Sequence, residues 1–300
     1  MLNRRHVLLL VGLLVLMALM VGCSKDDDDS PTGSNNDTNP TGLVTLTGII
    51  SDAVTGNPIQ GVTVTLTGPT SQSIERTEMY ETALSPGYTW VDITDSAGVY
   101  TFANVPSGNY SLAVTGSGFI AATTSVSVDA QTEEVTITDN ISISPEMATG
   151  QYRFVLSWGE TPYDLDAHYW KDTFHVYWPS SSRGDSTAEP FARLDTDDVS
   201  GWGPETITVY QLPTTGSCKY AIKNFSQDAL PTGAHVDIYS GSSQIASHDV
   251  PTSGTGRWWY VCDLTSSGTL SVHNTILDEP PVYYTPPGVS AAVPAKSSLR

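Results

Sequence analysis

The sequence predicts an all-β protein, two β-sandwich domains in tandem behind an export signal and a polar linker. Three observations predict it. From residue 43 to residue 277, short runs of β-branched and aromatic residues alternate with polar ones, the period of a half-buried strand. Clusters of Gly, Pro, Asn and Ser punctuate these runs. No segment in the first of the two domains carries a convincing helical period, and many short strands between such turns build sandwiches. The 300 residues hold 32 acidic and 13 basic side chains, a formal net charge of −19. That balance argues against a nucleic-acid partner, which needs a basic face to displace counterions.

Residues 1–22 come first. Arg4 and Arg5 precede an apolar run over residues 7–21, interrupted only by Gly12. A membrane span needs about 20 apolar residues, so this shorter run has the length of a signal-peptide core. It ends in Met20-Val21-Gly22-Cys23. A small residue followed at once by Cys resembles the lipobox of bacterial lipoproteins, with Met20 where that box more often has Leu. The resemblance implies lipidation of Cys23 as the new N-terminus and attachment to the membrane through that lipid.

Residues 23–42 form an acidic and polar tether. Lys25 is followed by four consecutive Asp, 26–29, which cannot pack and stay solvated. Cys-Ser-Lys before an Asp run is similar to the export signal of surface lipoproteins in Bacteroidetes-type bacteria. The resemblance implies attachment to the bacterial outer membrane and display at the cell surface. Residues 30–42 are polar and rich in Asn, Thr, Gly and Pro, with no apolar anchor.

Residues 43–146 make the first sandwich. Val62, Val64 and Leu66 alternate with Thr; Tyr110, Leu112 and Val114 alternate likewise, and so do Val126 and Val128, and Ile141 and Ile143. The turns carry a resemblance in order: Gly48-Ile49-Ile50-Ser51-Asp52, Gly56-Asn57-Pro58-Ile59-Gln60-Gly61-Val62, Asp95-Ser96-Ala97-Gly98-Val99-Tyr100, and Val105-Pro106-Ser107-Gly108-Asn109-Tyr110. These resemble the carboxypeptidase regulatory-like family, which implies a prealbumin-like sandwich used as a structural or spacer module, without catalytic residues. Residues 69–90 exceed the usual strand connection and read as an insertion. The related Cna-B sandwich is often locked by a Lys–Asn isopeptide bond. No Lys occurs between Asp26 and Tyr169, so that bond is excluded here.

Residues 150–277 make the second sandwich, with six of the seven Trp. Two segments concentrate carboxylates. In Tyr163-Asp164-Leu165-Asp166-Ala167-His168-Tyr169, strand geometry puts Asp164, Asp166 and His168 on one face and Leu165, Ala167 and Tyr169 on the other. The second segment is Leu194-Asp195-Thr196-Asp197-Asp198, leading through Gly201-Trp202-Gly203-Pro204 to Glu205. With Trp158-Gly159, these motifs resemble the YfaP-like family of uncharacterised bacterial β-domains. The resemblance implies a sandwich and no activity.

Clustered oxygens in a Gly-rich loop suit Ca²⁺, a hard ion taking six to eight oxygen ligands. The candidate ligands are Asp164, Asp166, Asp195, Asp197 and Asp198, with Glu205 as a further one. The spacing is not an EF-hand: counting from Asp195, the sixth residue is Ser200 rather than Gly. The alternative is that the Asp residues of the second segment cap turns through Asx bonds. A zinc site on His168 and His175 would need a turn at Lys171-Asp172 to bring both onto one face. With Cys23 lipidated, Cys218 and Cys262 are the remaining thiols in an oxidising compartment, and a disulfide between them is expected.

No Gly-x-Ser-x-Gly, Gly-rich phosphate loop or His-Glu-x-x-His occurs. The expectation is therefore a non-catalytic lipoprotein with a structural or interaction role and a protein or glycan partner. The alternative is a glycan-binding accessory lipoprotein that stacks sugars on exposed Trp170, Trp178, Trp202 and Trp258. An undetected hydrolase is a third reading. Residues 278–300, with Pro280-Pro281 and Pro286-Pro287, form a tail that cannot join a helix or an inner strand and is expected to be disordered.

Overall fold

The computed structural model describes residues 44–68, 89–129, 135–178, 182–185, 188–226, 230 and 233–281. The signal peptide, Cys23, the tether, almost all of the 69–90 insertion and the tail beyond residue 281 lie outside the described residues. What is described is all-β, as predicted, and contains no helix.

Eight strands build the first sandwich: β1 (Val44–Asp52), β2 (Thr63–Thr67), β3 (Thr89–Ile93), β4 (Val99–Val105), β5 (Gly108–Thr115), β6 (Ala122–Val128), β7 (Val135–Thr138) and β8 (Ile141–Ile143). One sheet runs β3-β2-β5-β6; the other runs β4-β1-β7, and β8 also pairs β1. The alternating positions face inward. Val62, Val64 and Leu66 meet Tyr110, Leu112 and Val114 in one sheet, and Leu46, Ile50, Tyr100 and Phe102 close the core from the other. Strand β1 changes partner along its length, from Thr47 beside Thr138 to Ile50 beside Ile141, both in parallel register. The chain crosses between them at Asp139 and Asn140. The Thr47 carbonyl accepts from the Asp139 N–H (2.9 Å), and the Ile49 N–H donates to Asn140 Oδ1 (2.9 Å). A Cβ at Gly48 would collide with the Asp139 carbonyl, so the glycine of this motif permits the crossing.

Eleven strands build the second sandwich: β9 (Tyr152–Ser157), β10 (Leu165–Lys171), β11 (Phe174–Val176), β12 (Ser182–Asp185), β13 (Ala188–Thr196), β14 (Glu205–Gln211), β15 (Ser217–Asn224), β16 (His235–Ser240), β17 (Ser243–Asp249), β18 (Trp258–Thr265) and β19 (Leu270–Leu277). Its sheets run β11-β10-β15-β18-β19 and β12-β13-β14-β9-β16-β17. Leu165, Ala167 and Tyr169 enter the core, as alternation requires, with Phe154, Ile207, Tyr220 and Trp259. Phe154 stacks on Tyr220 at 4.1 Å between ring centroids, inside the range where aromatic pairs add to plain burial.

The six-stranded sheet is covered on both faces, which alternation in β9 alone already hints at. Phe154 and Leu156 point into the second core, so Arg153, Val155 and Ser157 point away from it. On neighbouring β16 the matching residues are Tyr239, Asp237 and His235, each directly opposite one of the three. The first sandwich docks on this outer face. Ala53 and Ile120 pack there against Val155 and Tyr239, with Met147 beside them. The Thr196 hydroxyl donates to the Val54 carbonyl (2.6 Å), and the Met147 N–H donates to the Gly241 carbonyl (3.2 Å).

Arg153 sits at the centre of this junction, only 6% exposed. Its Nε donates to Thr208 Oγ1 (2.8 Å), and its Nη1 donates to Ser144 Oγ (2.7 Å) and the Pro145 carbonyl (2.8 Å). The two sandwiches are therefore joined through a hydrogen-bonded cation and an apolar contact.

Candidate functional site

Three of the six predicted carboxylates come together. Asp166 on β10, Asp197 just after β13 and Glu205 at the head of β14 each place an oxygen within 4.8 Å of the others. Asp166 is 5% exposed and Glu205 is fully buried. The geometry follows from the sandwich corner. Strand β11 pairs β10 only over residues 169–171, which leaves the nearer part of that edge without a strand partner. Glu205 reaches across from the other sheet, and its Oε1 accepts the Ala167 N–H at 2.6 Å. The carboxylate thus closes an open β edge, and the closure draws it beside Asp166.

The other predicted ligands go elsewhere. Leu194 points into the core, so Asp195 points outward to the junction, where Thr208 Oγ1 donates to its Oδ2. Burial pushes the Asp195 pKa up, against the Thr208 hydrogen bond and the Arg153 charge, which pull it down. Asp198 caps its own turn: Oδ1 accepts from Ser200 N–H (3.0 Å) and Ser200 Oγ (2.6 Å), and Oδ2 accepts from Gly203 N–H (2.8 Å). The turn-capping alternative therefore holds for Asp198, and the six-ligand set contracts to three. Asp164, just before β10, is largely buried and does not belong to the group of three.

One further expectation is corrected, and two alternatives find no support in the geometry. Cys218 and Cys262 are free, buried thiols. The β15–β18 register sets Cys218 opposite Leu264 and Cys262 opposite Tyr220, so the cysteines are diagonal neighbours. Diagonal Cβ atoms lie farther apart than the roughly 3.5–4.5 Å a disulfide spans. Burial pushes the Cys218 thiol up to about 11 and Cys262 higher still, which keeps both protonated and unreactive at neutral pH. Trp170 (2% exposed) and Trp258 (7%) are buried with Ala221 and Tyr260, while Trp178 and Trp202 are half-buried. The exposed four-Trp platform is absent. A turn with Asp172 at φ 52° does bring His168 Nδ1 within 3.0 Å of His175 Nε2. Among the described residues, however, the group of three close ligand atoms contains neither histidine, so no third zinc ligand joins them.

A cleft of about 580 Å³ opens where the sandwiches diverge beyond the junction. The first sandwich contributes Thr124, Asp139, Asn140 and Ser142; the second contributes Ser157, His235, Asp237, Ser247 and Asp249, with Trp158 and Trp202. His235 organises the second wall. Its Nδ1 meets Asp249 Oδ1 at 2.7 Å and its Nε2 meets Asp237 Oδ1 at 2.9 Å. Burial pulls the His235 pKa down, but the hydrogen bonds and charges of Asp237 and Asp249 outweigh it and hold the imidazole at about 9. On the other wall, burial raises Asp139 to about 6.

The sequence reading missed this cleft. The one local signal was His235-Val236-Asp237, a charged pair on one face of a strand. Asp249 joins it only through the β16–β17 register, which pairs His235 with Asp249.

Comparison with known proteins gives one family assignment. Residues 45–139 match the model of the carboxypeptidase regulatory-like domain, so the first sandwich is of that prealbumin-like type. No curated protein matches the chain. Among solved structures, a protein of unknown function, SAV2460, is 18% identical over 44% of this chain and 91% of its own, at TM-score 0.34. The major pilin SpaD of Corynebacterium diphtheriae is 12% identical over 76% and 84%, at TM-score 0.27. Catechol 1,2-dioxygenase of Pseudomonas arvilla C-1 is 13% identical over 38% of this chain, at TM-score 0.26, and the match spans 55% of the dioxygenase. Likenesses this remote bear on no functional reading.

The His235 cluster predicts a pH dependence. A histidine whose pKa rises from about 6.5 unfolded to about 9 folded adds stability that is complete below about pH 6.5 and is lost as pH rises through about 9. Asp249 is 82% exposed and its share is screened, so the loss should be about 2 kcal/mol. Urea unfolding at pH 6.5 and 9.5 should show that difference in the wild type. His235→Gln should show a difference smaller by that amount.

Proposed function

We propose that this chain is a non-catalytic, lipid-anchored lipoprotein of the bacterial outer membrane, displayed at the cell surface, in which the carboxypeptidase regulatory-like sandwich is a rigid spacer for the second sandwich. The observation that carries the reading is the buried junction. A spacer has to transmit position, and a flexible linker between independent domains would not. Here the connecting segment itself holds Arg153, through Ser144 Oγ and the Pro145 carbonyl. The anchor rests on Gly22-Cys23 behind the short apolar run, and display at the surface rests on the Lys25–Asp29 signal. In this reading the second sandwich meets a protein or glycan partner.

A palmitate analogue fed to cells that express the full chain should label the wild type and not Cys23→Ala. Replacing Asp26–Asp29 by Ala should leave the label and reduce protease accessibility on intact cells. Equal labelling of wild type and Cys23→Ala removes the anchor from the account.

A specific observation favours Ca²⁺ as a structural ion of the second sandwich. Two oxygens bound to one Ca²⁺ at about 2.4 Å can be no more than about 4.8 Å apart, and oxygens of Asp166, Asp197 and Glu205 lie within that limit of one another. Beside them the Tyr220 hydroxyl is fully buried and has no hydrogen-bond partner among the described residues. Glu205 is the leading charge acting on it. Asp166 and Glu205 are buried, and a divalent cation would offset the repulsion between carboxylates held this close. Ca²⁺ at about 100 times its dissociation constant should add roughly 2.7 kcal/mol and visibly raise the melting temperature of the full chain over its value in chelator. Mg²⁺, which dehydrates reluctantly, should do so weakly. Asp197→Ala, at the most open ligand, should abolish the Ca²⁺ response; an unchanged melting temperature in millimolar Ca²⁺ argues against the site.

A further inference from the structure

The spacer reading assigns no role to the cleft at the junction. We propose that it binds a neutral oligosaccharide, stacked on Trp202 and hydrogen-bonded from both sandwiches. The volume of about 580 Å³ lies within the range of small-ligand sites, which gather at domain boundaries.

The lining chemistry points to a polyhydroxylated ligand. Sugar hydroxyls each need a donor and an acceptor, and the cleft offers both kinds from both sides. Asn140 Oδ1 already accepts from Ile49, and Ser142 Oγ and Ser247 Oγ are bonded to Ser51 Oγ and His235 Nε2, which leaves the Asn140 side-chain N–H groups, Ser157 Oγ and the remaining lone pairs of the two bonded hydroxyls for a ligand. The Asp249 carboxylate, 82% exposed, supplies an acceptor to the cleft, whereas Asp139 Oδ2 in the first wall is out of contact with solvent and closed to a ligand. The raised pKa of Asp139, about 6, reflects that burial.

Trp202 supplies the apolar platform on which the C–H face of a sugar ring can lie. Its backbone is the second sign of function. Trp202 has φ 77°, a left-handed conformation rare for a bulky residue, between Gly201 and Gly203, which are also left-handed. The strain is held by local hydrogen bonds: the Trp202 N–H donates to the Gly159 carbonyl (2.9 Å), and its carbonyl accepts from the Trp158 N–H (3.3 Å). Yet the ring is only half-buried and does not belong to the main core. Strain kept for a side chain the core does not use is typical of a ligand contact.

Charge selects among sugars. Asp139, Asp237 and Asp249 outnumber the single cation His235. A net negative cleft repels uronic acids, sialic acids and phosphates, and a neutral glycan pays no such cost.

The test uses the full chain, purified in detergent, in calorimetric titrations with cellohexaose, xylohexaose, mannohexaose and chitohexaose, and with hexagalacturonate and hexalysine as charged controls. At least one neutral hexasaccharide should bind, and hexagalacturonate at least about tenfold more weakly. Trp202→Ala should weaken binding by about tenfold or more. Ser247→Arg, at an exposed strand position, gives up the Ser247 Oγ–His235 Nε2 contact (2.9 Å) but leaves the Arg153 hydrogen bonds of the junction intact, and should block it. Thr124→Arg, at an exposed strand position that lines the opposite wall, should block it from that side. Binding of none of the four neutral sugars, binding unaltered by both Trp202→Ala and Ser247→Arg, or binding of hexalysine alone overturns the proposal. The inference rests on the spacer reading only for the fixed position of the two walls. A chain that is labelled at Cys23 but binds no neutral sugar defeats this inference alone.

Discussion

One buried guanidinium governs the arrangement. Arg153 leaves water at the junction, and burial pulls its pKa down against the charges of Asp195 and Asp52. A cation taken out of solvent has to be hydrogen-bonded on every side or it destabilises the fold by several kcal/mol. The partners come from three places: β14 through Thr208, the connecting segment through Ser144, and that segment's backbone at Pro145. Thr208 passes the polarity on to Asp195. The connecting segment is thereby held to the second sandwich, and Ala53 and Ile120 of the first can pack on Val155 and Tyr239. Once that contact is set, the positions farther along the same strands, Ser157 and His235, face the first sandwich across a gap rather than touching it. The cleft begins where the contact beside the arginine ends.

The loop over residues 197–204 links both candidate sites. Its first residue, Asp197, reaches Asp166 and Glu205 at the sandwich corner, and Trp202 lines the cleft. Asp198 ties the two ends together by accepting from Ser200 and Gly203. Glu205 then begins β14, where its contact with the Ala167 N–H fastens one sheet to the edge of the other. A short segment thus joins the corner of the second sandwich to the wall of the cleft through its left-handed Gly201-Trp202-Gly203 turn.

The parts of this structure that were legible in the sequence are those that alternation controls. Val62, Val64 and Leu66, or Leu165, Ala167 and Tyr169, must share a face whatever the strand pairs with, and they do. Asp166, Asp197 and Glu205 were among the candidate ligands because acids that alternate along a strand or crowd a Gly-rich loop are visible without coordinates. Their separation from Asp195 and Asp198 was not visible. The first depends on which face of β13 meets the junction, the second on a turn that consumes its own carboxylate. The cysteines show the same limit, since a two-residue offset in register makes diagonal neighbours of a pair that elimination had matched. Counting Trp residues revealed aromatic wealth but not cover: Trp170 and Trp258 lie on the outer face of their sheet and are buried nonetheless. The cleft had almost no local signature, because its walls come from two sandwiches and its central ion cluster from one register pair.

The central claim is that the two sandwiches are one mechanical body. Backbone ¹⁵N relaxation of the folded chain tests it directly, by comparing the rotational correlation time from amides of β1–β8 with that from amides of β9–β19. The account predicts a single value for both sets, appropriate to the combined mass, with the amides around Ser144 and Arg153 as rigid as the core strands. Two distinct and shorter correlation times, with fast motion in the connecting segment, would show independent domains and contradict it.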